Sequence, residues 1–329
     1  MKRMKKTLIL AFLVSNAISF NGYSQWYHYA DSETHSRGIA AFKNHVYLSS
    51  NTGLIYDHDI KRHTTMALNL NNPLKELRDI DVNGKKIVAM QSENSSKLVY
   101  VINNKSIAIP INREEIFFDG MVLYAQKGMM FGDPKNGNIP VFISKSGGIQ
   151  WSKAPTPLKA LDGEYGFSAS GNNIIYKDRS FYFVTGGKHS RFISTNDMGK
   201  SWFTSNLPFD DGESSGAYAV AMKNKKEGIV VGGSYEDPNS KKANCFMTID
   251  GGKTWKSPTT PPDGYMSCVI EYKGVYYSCG PNGIDYSTND GQTWTKLANG
   301  KFYTLTAHKK RLYASADKGR LAKFKLPKK

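Results

Sequence analysis

One short phrase occurs four times in this chain, and its spacing limits the fold more than any other feature. The phrase reads Ser/Thr-x-Asp-x-Gly-x-Thr/Ser-Trp, and its copies span 144–151, 195–202, 248–255 and 287–294. The tryptophans that end the copies are 51, 53 and 39 residues apart. Self-similarity at a period of about 40 to 50 residues indicates a repeat architecture, and repeats made of short strands indicate a β-propeller.

Each copy has the composition of a tight turn that ends on a large buried ring. Glycine adopts positive φ at little cost, and a nearby Asp carboxylate accepts backbone N–H bonds within the turn. The Trp ring buries a large apolar surface between neighbouring sheets. We therefore expect structural roles for the acidic or amide residue and the tryptophan of the copies: Asp197, Trp202, Asp250, Trp255, Asn289, Trp294 and Trp151.

The phrase resembles the Asp-box, or BNR repeat, of sialidases and related propellers. The copies at 195–202 and 248–255 keep every position of that repeat. Asn289 replaces Asp in the last copy, and Ser146 and Gln150 replace Asp and Thr in the first. The resemblance implies an all-β propeller fold. It says little about chemistry, because Asp-box residues lie in turns.

The rest of the chain reads as short strands separated by turns. Runs rich in Tyr, Phe, Val and Ile alternate with Gly, Asn, Asp and Pro, as in a meander of antiparallel strands. Aligning the units on the Asp-boxes divides residues 25–329 into seven four-stranded blades of one domain, with six or eight blades as alternatives. The last unit supplies only three strands, so we expect the segment Trp26–Ala30 to add the fourth and close the ring.

The N-terminus predicts export. Four positive charges precede an apolar run from Leu8 to Phe20 and a polar segment ending at Ser24, which is the pattern of a cleaved signal peptide over residues 1–24. The run is shorter than a membrane span needs. We therefore predict a periplasmic or secreted monomer without a transmembrane segment.

The net charge of +16 comes with scattered lysines rather than basic clusters interleaved with aromatics. This distribution favours a solvated surface over a nucleic-acid site. We find no Cys/His spacing typical of zinc and expect no metal and no cofactor.

Three cysteines follow the signal segment, and two of them are predicted to face each other. Around the turn at Lys273-Gly274, Cys268 falls opposite Cys279. An oxidising compartment would allow a cross-strand disulfide there, although the hydrogen-bonded register is a poor site for one. The bridge and the reduced pair both stay open at this point, and Cys245 would remain a free thiol.

The blade geometry places the Asp-boxes on one rim of the ring and the loops between second and third strands on the opposite rim. The opposite rim also holds the crossings between blades, and acids and tyrosines concentrate there despite the positive net charge. Such a lining suits a polar ligand. The candidate ligand-binding residues are Asp133, Glu164, Tyr165, Arg191, Ser215, Tyr235, Glu236 and Tyr265, and the candidate catalytic carboxylates are Glu164, Glu213 and Asp133.

Several phrases on this rim are similar to a family of exported bacterial propellers grouped with photosystem II stability and assembly factors. They are Gly-Asp-Pro at 132–134, Gly-Glu-Tyr-Gly-Phe-Ser-Ala-Ser-Gly at 163–171, Thr-Gly-Gly at 185–187, Gly-Gly-Ser-Tyr at 232–235 and Gly-Tyr-Met-Ser-Cys at 264–268. The similarity covers roughly residues 115 to 326 and implies the propeller fold and export. Ser234 replaces the acid expected in the fourth phrase.

Two functions are consistent with these patterns. The favoured hypothesis is a rigid binding or assembly platform for a glycan or protein ligand on the face opposite the Asp-boxes. The alternative is a glycoside hydrolase of the sialidase-like type, which would need two carboxylates across the scissile bond. Mature arginines are few and the sialidase Arg-Ile-Pro motif is missing, so sialidase activity itself is disfavoured.

Overall fold

Short antiparallel strands joined by tight turns make up the computed structural model. It describes residues 24–70, 74–93, 96–103, 105–111 and 115–327, together with the backbone of 18–20. These residues contain no α-helix, and accordingly no helix long and apolar enough to cross a membrane. The predicted signal peptide, residues 1–24, lies almost entirely outside the described part of the chain.

Blades 1 and 2 are regular meanders in which each strand pairs with the next. Blade 1 consists of β3 (Ser36–Phe42), β4 (His45–Ser50), β5 (Ile55–Asp59) and β6 (Thr64–Ala67). Blade 2 consists of β7 (Leu77–Asn83), β8 (Lys86–Gln91), β9 (Lys97–Ile102) and β10 (Lys105–Pro110).

Blades 3 and 4 have the same order, with short extra ladders in their connections. Blade 3 consists of β11 (Phe118–Tyr124), β12 (Lys127–Gly132), β14 (Val141–Ser144) and β15 (Ser152–Lys153). Blade 4 consists of β18 (Ile174–Lys177), β19 (Ser180–Val184), β21 (Arg191–Thr195) and β22 (Phe203–Asn206). The extra ladders join β13 (Asn138–Ile139) to β16 (Leu158–Lys159) and β17 (Glu164–Tyr165) to β20 (Gly186–Gly187).

Blades 5 and 6 lie between blade 4 and the blade that closes the ring. Blade 5 consists of β23 (Ser215–Met222), β24 (Gly228–Ser234) and β25 (Cys245–Thr248), with its outer position held by a bridge from Met247 to Lys256. Blade 6 consists of β26 (Cys268–Tyr272), β27 (Val275–Gly280), β28 (Gly283–Ser287) and β29 (Thr295–Ala298).

The N-terminal strand closes the ring. Blade 7 contains β30 (Phe302–His308), β31 (Arg311–Ala316) and β32 (Arg320–Lys325), and β2 (Ser24–His28) pairs antiparallel with β32 as its fourth strand. The backbone of β1 (Ile18–Phe20) pairs with the outer side of β2. The predictions of seven blades and of closure by the N-terminal strand are therefore confirmed, with the strand two residues earlier than expected.

Hydrophobic clusters between neighbouring blades hold the ring together. Each of the seven blade-to-blade boundaries has a buried cluster built from alternate residues of the facing strands. The Asp-box tryptophans extend four consecutive clusters: Trp151 between blades 2 and 3, Trp202 between blades 3 and 4, Trp255 between blades 4 and 5, and Trp294 between blades 5 and 6. Sheet-on-sheet burial of this kind fixes each blade relative to its neighbours.

The Asp-box turns satisfy their own polar groups. Asp197 Oδ1 accepts the backbone N–H groups of Lys200 and Ser201, both at 3.0 Å, and its Oδ2 accepts the Ser201 hydroxyl at 2.6 Å. These bonds lower the pKa of Asp197 to about 2, and the hydrogen bond from the Ser201 hydroxyl has the largest effect. Asp250 makes the same set of bonds and its pKa is likewise lowered to about 2. Both oxygens of each turn carboxylate therefore accept hydrogen bonds within the turn itself.

The three cysteines are buried thiols in the structure. Cys268 and Cys279 are partners in the ladder between β26 and β27, as the sequence register predicted. Their oxidation to a disulfide stays a prediction.

Candidate functional site

Five innermost strands carry a β-bulge close to where they begin. The register shifts between Ser36 and Gly38, Leu77 and Asp79, Phe118 and Gly120, Ala217 and Ala219, and Phe302 and Thr304. The extra residue in each bulge has no ladder partner, and a bulge redirects that side chain. We call these five residues the bulge ring: Arg37, Arg78, Asp119, Tyr218 and Tyr303.

All five residues of the bulge ring line one cavity of ≈ 580 Å³ at the mouth of the propeller. Loop residues contribute the rest of its wall, among them Asp133, Gly166, Phe167, Tyr235, Tyr265 and Lys301. Every blade, or the crossing that leads into it, therefore contributes to this mouth cavity. Its volume lies within the range of small-ligand pockets, and its mixture of apolar walls with few charged groups is typical of them.

The mouth cavity lies on the rim opposite the Asp-boxes. Its bulge ring is at the start of the innermost strands, whereas the Asp-boxes join third to fourth strands at the other end of each blade. The Asp-box turns accordingly contact the hairpins between first and second strands, as in the bonds Gly147 N–H to Gln126 O and Gly251 N–H to Lys226 O, both 2.9 Å.

One side of the mouth cavity is basic. Arg78 lies 2.7 Å from the Glu76 carboxylate, and the Nη1 of Arg78 donates to the Ser168 hydroxyl at 3.3 Å. Arg37 lies 3.4 Å from the same Glu76. A single carboxylate therefore faces two guanidinium groups, and this side keeps a net positive charge.

The adjacent part of the lining, from blade 3, is acidic. Asp119 is 1% exposed, and its Oδ2 is buried without a hydrogen-bond donor among the described residues. Asp133 comes from the loop after β12, and its Oδ1 accepts the Gly166 N–H at 3.1 Å. Burial raises the pKa of Asp119 well above its usual range, the charge of Asp133 adds to the rise, and Arg78 opposes it. Burial also raises the pKa of Asp133.

Gly166 makes this acidic corner possible. A Cβ on Gly166 would lie 2.0 Å from the Oδ2 of Asp119, which no side chain could tolerate. The bare glycine lets the carboxyl group lie against the backbone at the cavity wall. A similar close approach of backbone to a polar group is a common use of glycine near ligand sites.

Aromatic rings from blade 5 and from the crossings into blades 4 and 6 form another part of the cavity wall. Phe167 stacks on Tyr218 with ring centroids 4.1 Å apart and an interplanar angle of 3°. Tyr265 meets Tyr218 edge-on at 4.8 Å. Tyr235 stands at the rim with 54% of its surface exposed. Rigid rings supply contact area at a low entropic cost, since each has only two side-chain torsions.

Three residues predicted from the sequence lie in this cavity: Asp133, Tyr235 and Tyr265. Glu164 and Arg191 lie elsewhere, in a buried ion pair beneath the crossing into blade 4. The Oε1 of Glu164 accepts Arg191 Nε at 2.8 Å and the Thr185 hydroxyl at 2.5 Å, and its Oε2 accepts Arg191 Nη2 at 2.7 Å and the Leu161 N–H at 2.9 Å. Each carboxylate oxygen of Glu164 therefore accepts two hydrogen bonds. We call this ion pair a structural clamp, because it ties the crossing into blade 4 to strand β21.

The remaining predicted residues are outside the cavity lining as well. Tyr165 is exposed at the end of the short strand β17, Glu213 and Glu236 are exposed on loops, and Ser215 is a partly buried residue at the start of β23. The structure therefore does not bring Glu164 or Glu213 together with Asp133 around one space.

The sequence reasoning missed the bulge ring, although the chain carries a faint signal for it. Arg37, Arg78 and Asp119 are 41 residues apart in succession, and each is followed by Gly or Asp and then an apolar residue. This second period runs through the blades that lack a well-kept Asp-box. This period identifies cavity residues only if a bulge is known to leave the residue between two paired positions without a ladder partner.

Within the described residues, no three His, Cys, Asp or Glu side chains are placed to hold a metal ion. The expectations of no metal and no cofactor stay predictions.

Comparison with known proteins supports the fold alone. No protein-family profile matches the chain, and no curated protein matches it. Among solved structures it is similar to YCF48 bound to D1 peptide, with a TM-score of 0.65 at 10% identity, covering 95% of this chain and 100% of that one. It is also similar to the WD40 propeller domain of Doa1, with a TM-score of 0.65 at 7% identity over 97% and 98% of the two chains. A third similar structure is a catalytically inactive virginiamycin B lyase from Staphylococcus aureus with quinupristin, with a TM-score of 0.62 at 10% identity over 92% and 99%.

Proposed function

We propose that this chain is an exported binding platform that takes a segment of a protein ligand into the mouth cavity. The observation that carries the proposal is the bulge ring, because five blades independently aim a charged or aromatic side chain at one space of ≈ 580 Å³. Bulges cost ladder hydrogen bonds, and their coincidence around one cavity indicates a site for a ligand.

The charges of the cavity favour a polypeptide over a glycan. The lining carries both signs of charge, Arg37 and Arg78 from blades 1 and 2 and Asp119 and Asp133 from the adjacent blade 3. Protein segments commonly carry groups of both signs, whereas most glycans are neutral or anionic. Aromatic walls and an exposed tyrosine at the rim are also typical of peptide-binding surfaces. A propeller of similar fold has been solved with a bound peptide, and this precedent agrees with the proposal.

A binding screen tests the proposal. The purified chain, from residue 25 onward, is presented to an array of random peptides and to a glycan array, and binders are measured by calorimetry. We expect peptide binders whose affinity falls roughly tenfold or more in Tyr235→Ala, since exposed aromatic anchors dominate such contacts. The matched control is Ile249→Ala on the Asp-box rim, where Ile249 is 70% exposed. Glycan binders without peptide binders, or peptide binding insensitive to Tyr235→Ala, would refute the proposal.

A glycosidase remains the second candidate, and one observation favours it. Asp119 and Asp133 both line the cavity and both have a raised pKa, and a glycosidase needs one protonated and one ionised carboxyl group. The assay is release of the aryl group from a panel of aryl glycosides. Turnover in the wild type that disappears in Asp133→Asn would favour the enzyme over the platform.

A further inference from the structure

We propose that Asp119 and Asp133 form a subsite for a cationic side chain, the ammonium of a lysine or the guanidinium of an arginine, of a peptide ligand in the mouth cavity. The inference rests on the proposed function and deepens it by naming the group that the acidic corner receives.

The unpartnered oxygen is the Oδ2 of Asp119. Asp119 is 1% exposed, and buried polar atoms in folded proteins almost always have a hydrogen-bond partner. Its main-chain oxygen is satisfied by the Asn173 side chain at 3.0 Å. Because Asp119 lines the mouth cavity, a ligand bound there is the donor that we assign to this carboxyl group.

The second carboxyl group makes a cation the fitting donor. Asp133 lines the same corner and raises the cost of a negative charge on Asp119. Two carboxyl groups facing one space either share a proton or hold a cation between them. A ligand cation supplies the missing donor and removes the repulsion at the same time, which a neutral donor cannot do.

The neighbouring cations leave room for this ligand group. Arg78 is engaged by Glu76 at 2.7 Å and by Ser168 at 3.3 Å, and it also lies over the Phe117 ring at 5.6 Å. Its guanidinium is therefore engaged by these partners, although its positive charge still acts on Asp119 and opposes the rise in the pKa of that carboxyl. The Gly166 backbone, which has no side chain to fill the corner, forms the wall against which Oδ2 lies.

Matched short peptides test the subsite. The probes are capped Ala-Ala-X-Ala-Ala peptides in which X is lysine, arginine, Nε-acetyl-lysine or glutamate, with glucosamine as a non-peptide amine. Binding is followed by calorimetry and by chemical-shift perturbation in Asp119→Asn, Asp133→Asn and wild type. The control variant is Asp211→Asn, which removes one negative charge from an exposed loop residue on the same face.

We expect the lysine and arginine peptides to bind roughly tenfold or more tightly than the acetyl-lysine peptide. Acetylation removes the positive charge that would pair with the two carboxyl groups of the subsite. Asp119→Asn and Asp133→Asn should abolish this preference, and Asp211→Asn should retain it. Asp119→Asn should also remain folded with an unchanged or higher Tm, since Oδ2 has no donor to lose; a merely structural carboxyl group would lower the Tm.

Three outcomes overturn the subsite. They are equal binding of the charged and acetylated peptides, wild-type preference in Asp119→Asn, and binding of glucosamine without binding of the lysine peptide. If screened peptides bind and depend on Tyr235 but are indifferent to both Asp variants, the subsite is wrong and the platform stands. If no peptide binds at all, the platform and the subsite are both wrong.

Discussion

Replacing Asp119 with asparagine should make the protein more stable, and the gain should grow with pH. Asp119 is a buried carboxyl group whose Oδ2 has no donor. Its pKa is raised well above the ordinary range, first by burial and then by the charge of Asp133. The folded state therefore holds a proton that the unfolded chain releases above about pH 4.

The sign and size of the effect follow from this difference in bound protons. Since the folded pKa is the higher one, wild-type stability is retained below the unfolded pKa and declines as the pH rises toward the folded pKa. The decline is at most about 1.4 kcal/mol for each pH unit within that window. Asparagine does not titrate, so the variant escapes the decline. Near neutral pH we expect a gain of about 1–3 kcal/mol, the usual cost of one unsatisfied buried polar group.

Urea unfolding of the wild type and Asp119→Asn between pH 4 and pH 8 measures the gain. Equal m-values would show that the midpoint difference reports stability. Asp211→Asn serves as the control because its side chain is exposed, and its difference from wild type should stay within about 0.5 kcal/mol. An Asp119→Asn protein that is less stable at every pH, or whose gain does not change with pH, would show that Asp119 does not destabilise the folded protein through its raised pKa.

Three further changes test other parts of the structure. His58 is fully buried with its Nε2 unpartnered among the described residues, and burial lowers its pKa to about 4. The wild type should therefore lose up to about 3 kcal/mol of stability as the pH falls from 6.5 toward 4. In His58→Phe, the midpoint of urea unfolding should depend less on pH over this range. Glu164→Gln should destabilise by about 3–5 kcal/mol because it leaves Arg191 buried without its charge partner, and a Tm close to wild type would contradict the clamp. Lys309 and Lys310 both have positive φ, of 47° and 61°. Because glycine adopts this backbone conformation without strain, Lys310→Gly should raise the stability by about 1 kcal/mol in thermal unfolding. A lower Tm would show that contacts of the lysine side chain outweigh the strain of the turn.

The ring could be predicted from the sequence because its signals are local and repeated. An Asp-box specifies its own turn through the hydrogen bonds of a residue such as Asp250 to positions only a few residues away. Once the turns are placed, strand alternation fixes the meander, and strand count fixes which rim each loop occupies. The missing fourth strand of the last unit then predicted closure by the N-terminus.

The lining of the mouth cavity could not be predicted in the same way. Arg37, Arg78 and Asp119 reach the cavity only because a register shift between two paired strands extrudes them. A register shift depends on the partner strand and is not marked by a characteristic amino-acid composition. Conversely, Glu164 looked available because no turn requires an acid there, and only the fold brings it to Arg191, 27 positions away in the chain.

Amide hydrogen exchange, with and without a peptide selected in the binding screen, shows directly which face of the propeller binds the ligand. The peptide should slow exchange in the bulged segments 36–38, 77–79 and 118–120 and in the crossing at 166–169, which surround the mouth cavity. Exchange in the Asp-box turns at 195–202 and 248–255 should not change. Protection confined to the Asp-box turns, with none at the bulged segments, would contradict the claim that the mouth cavity is where this propeller binds.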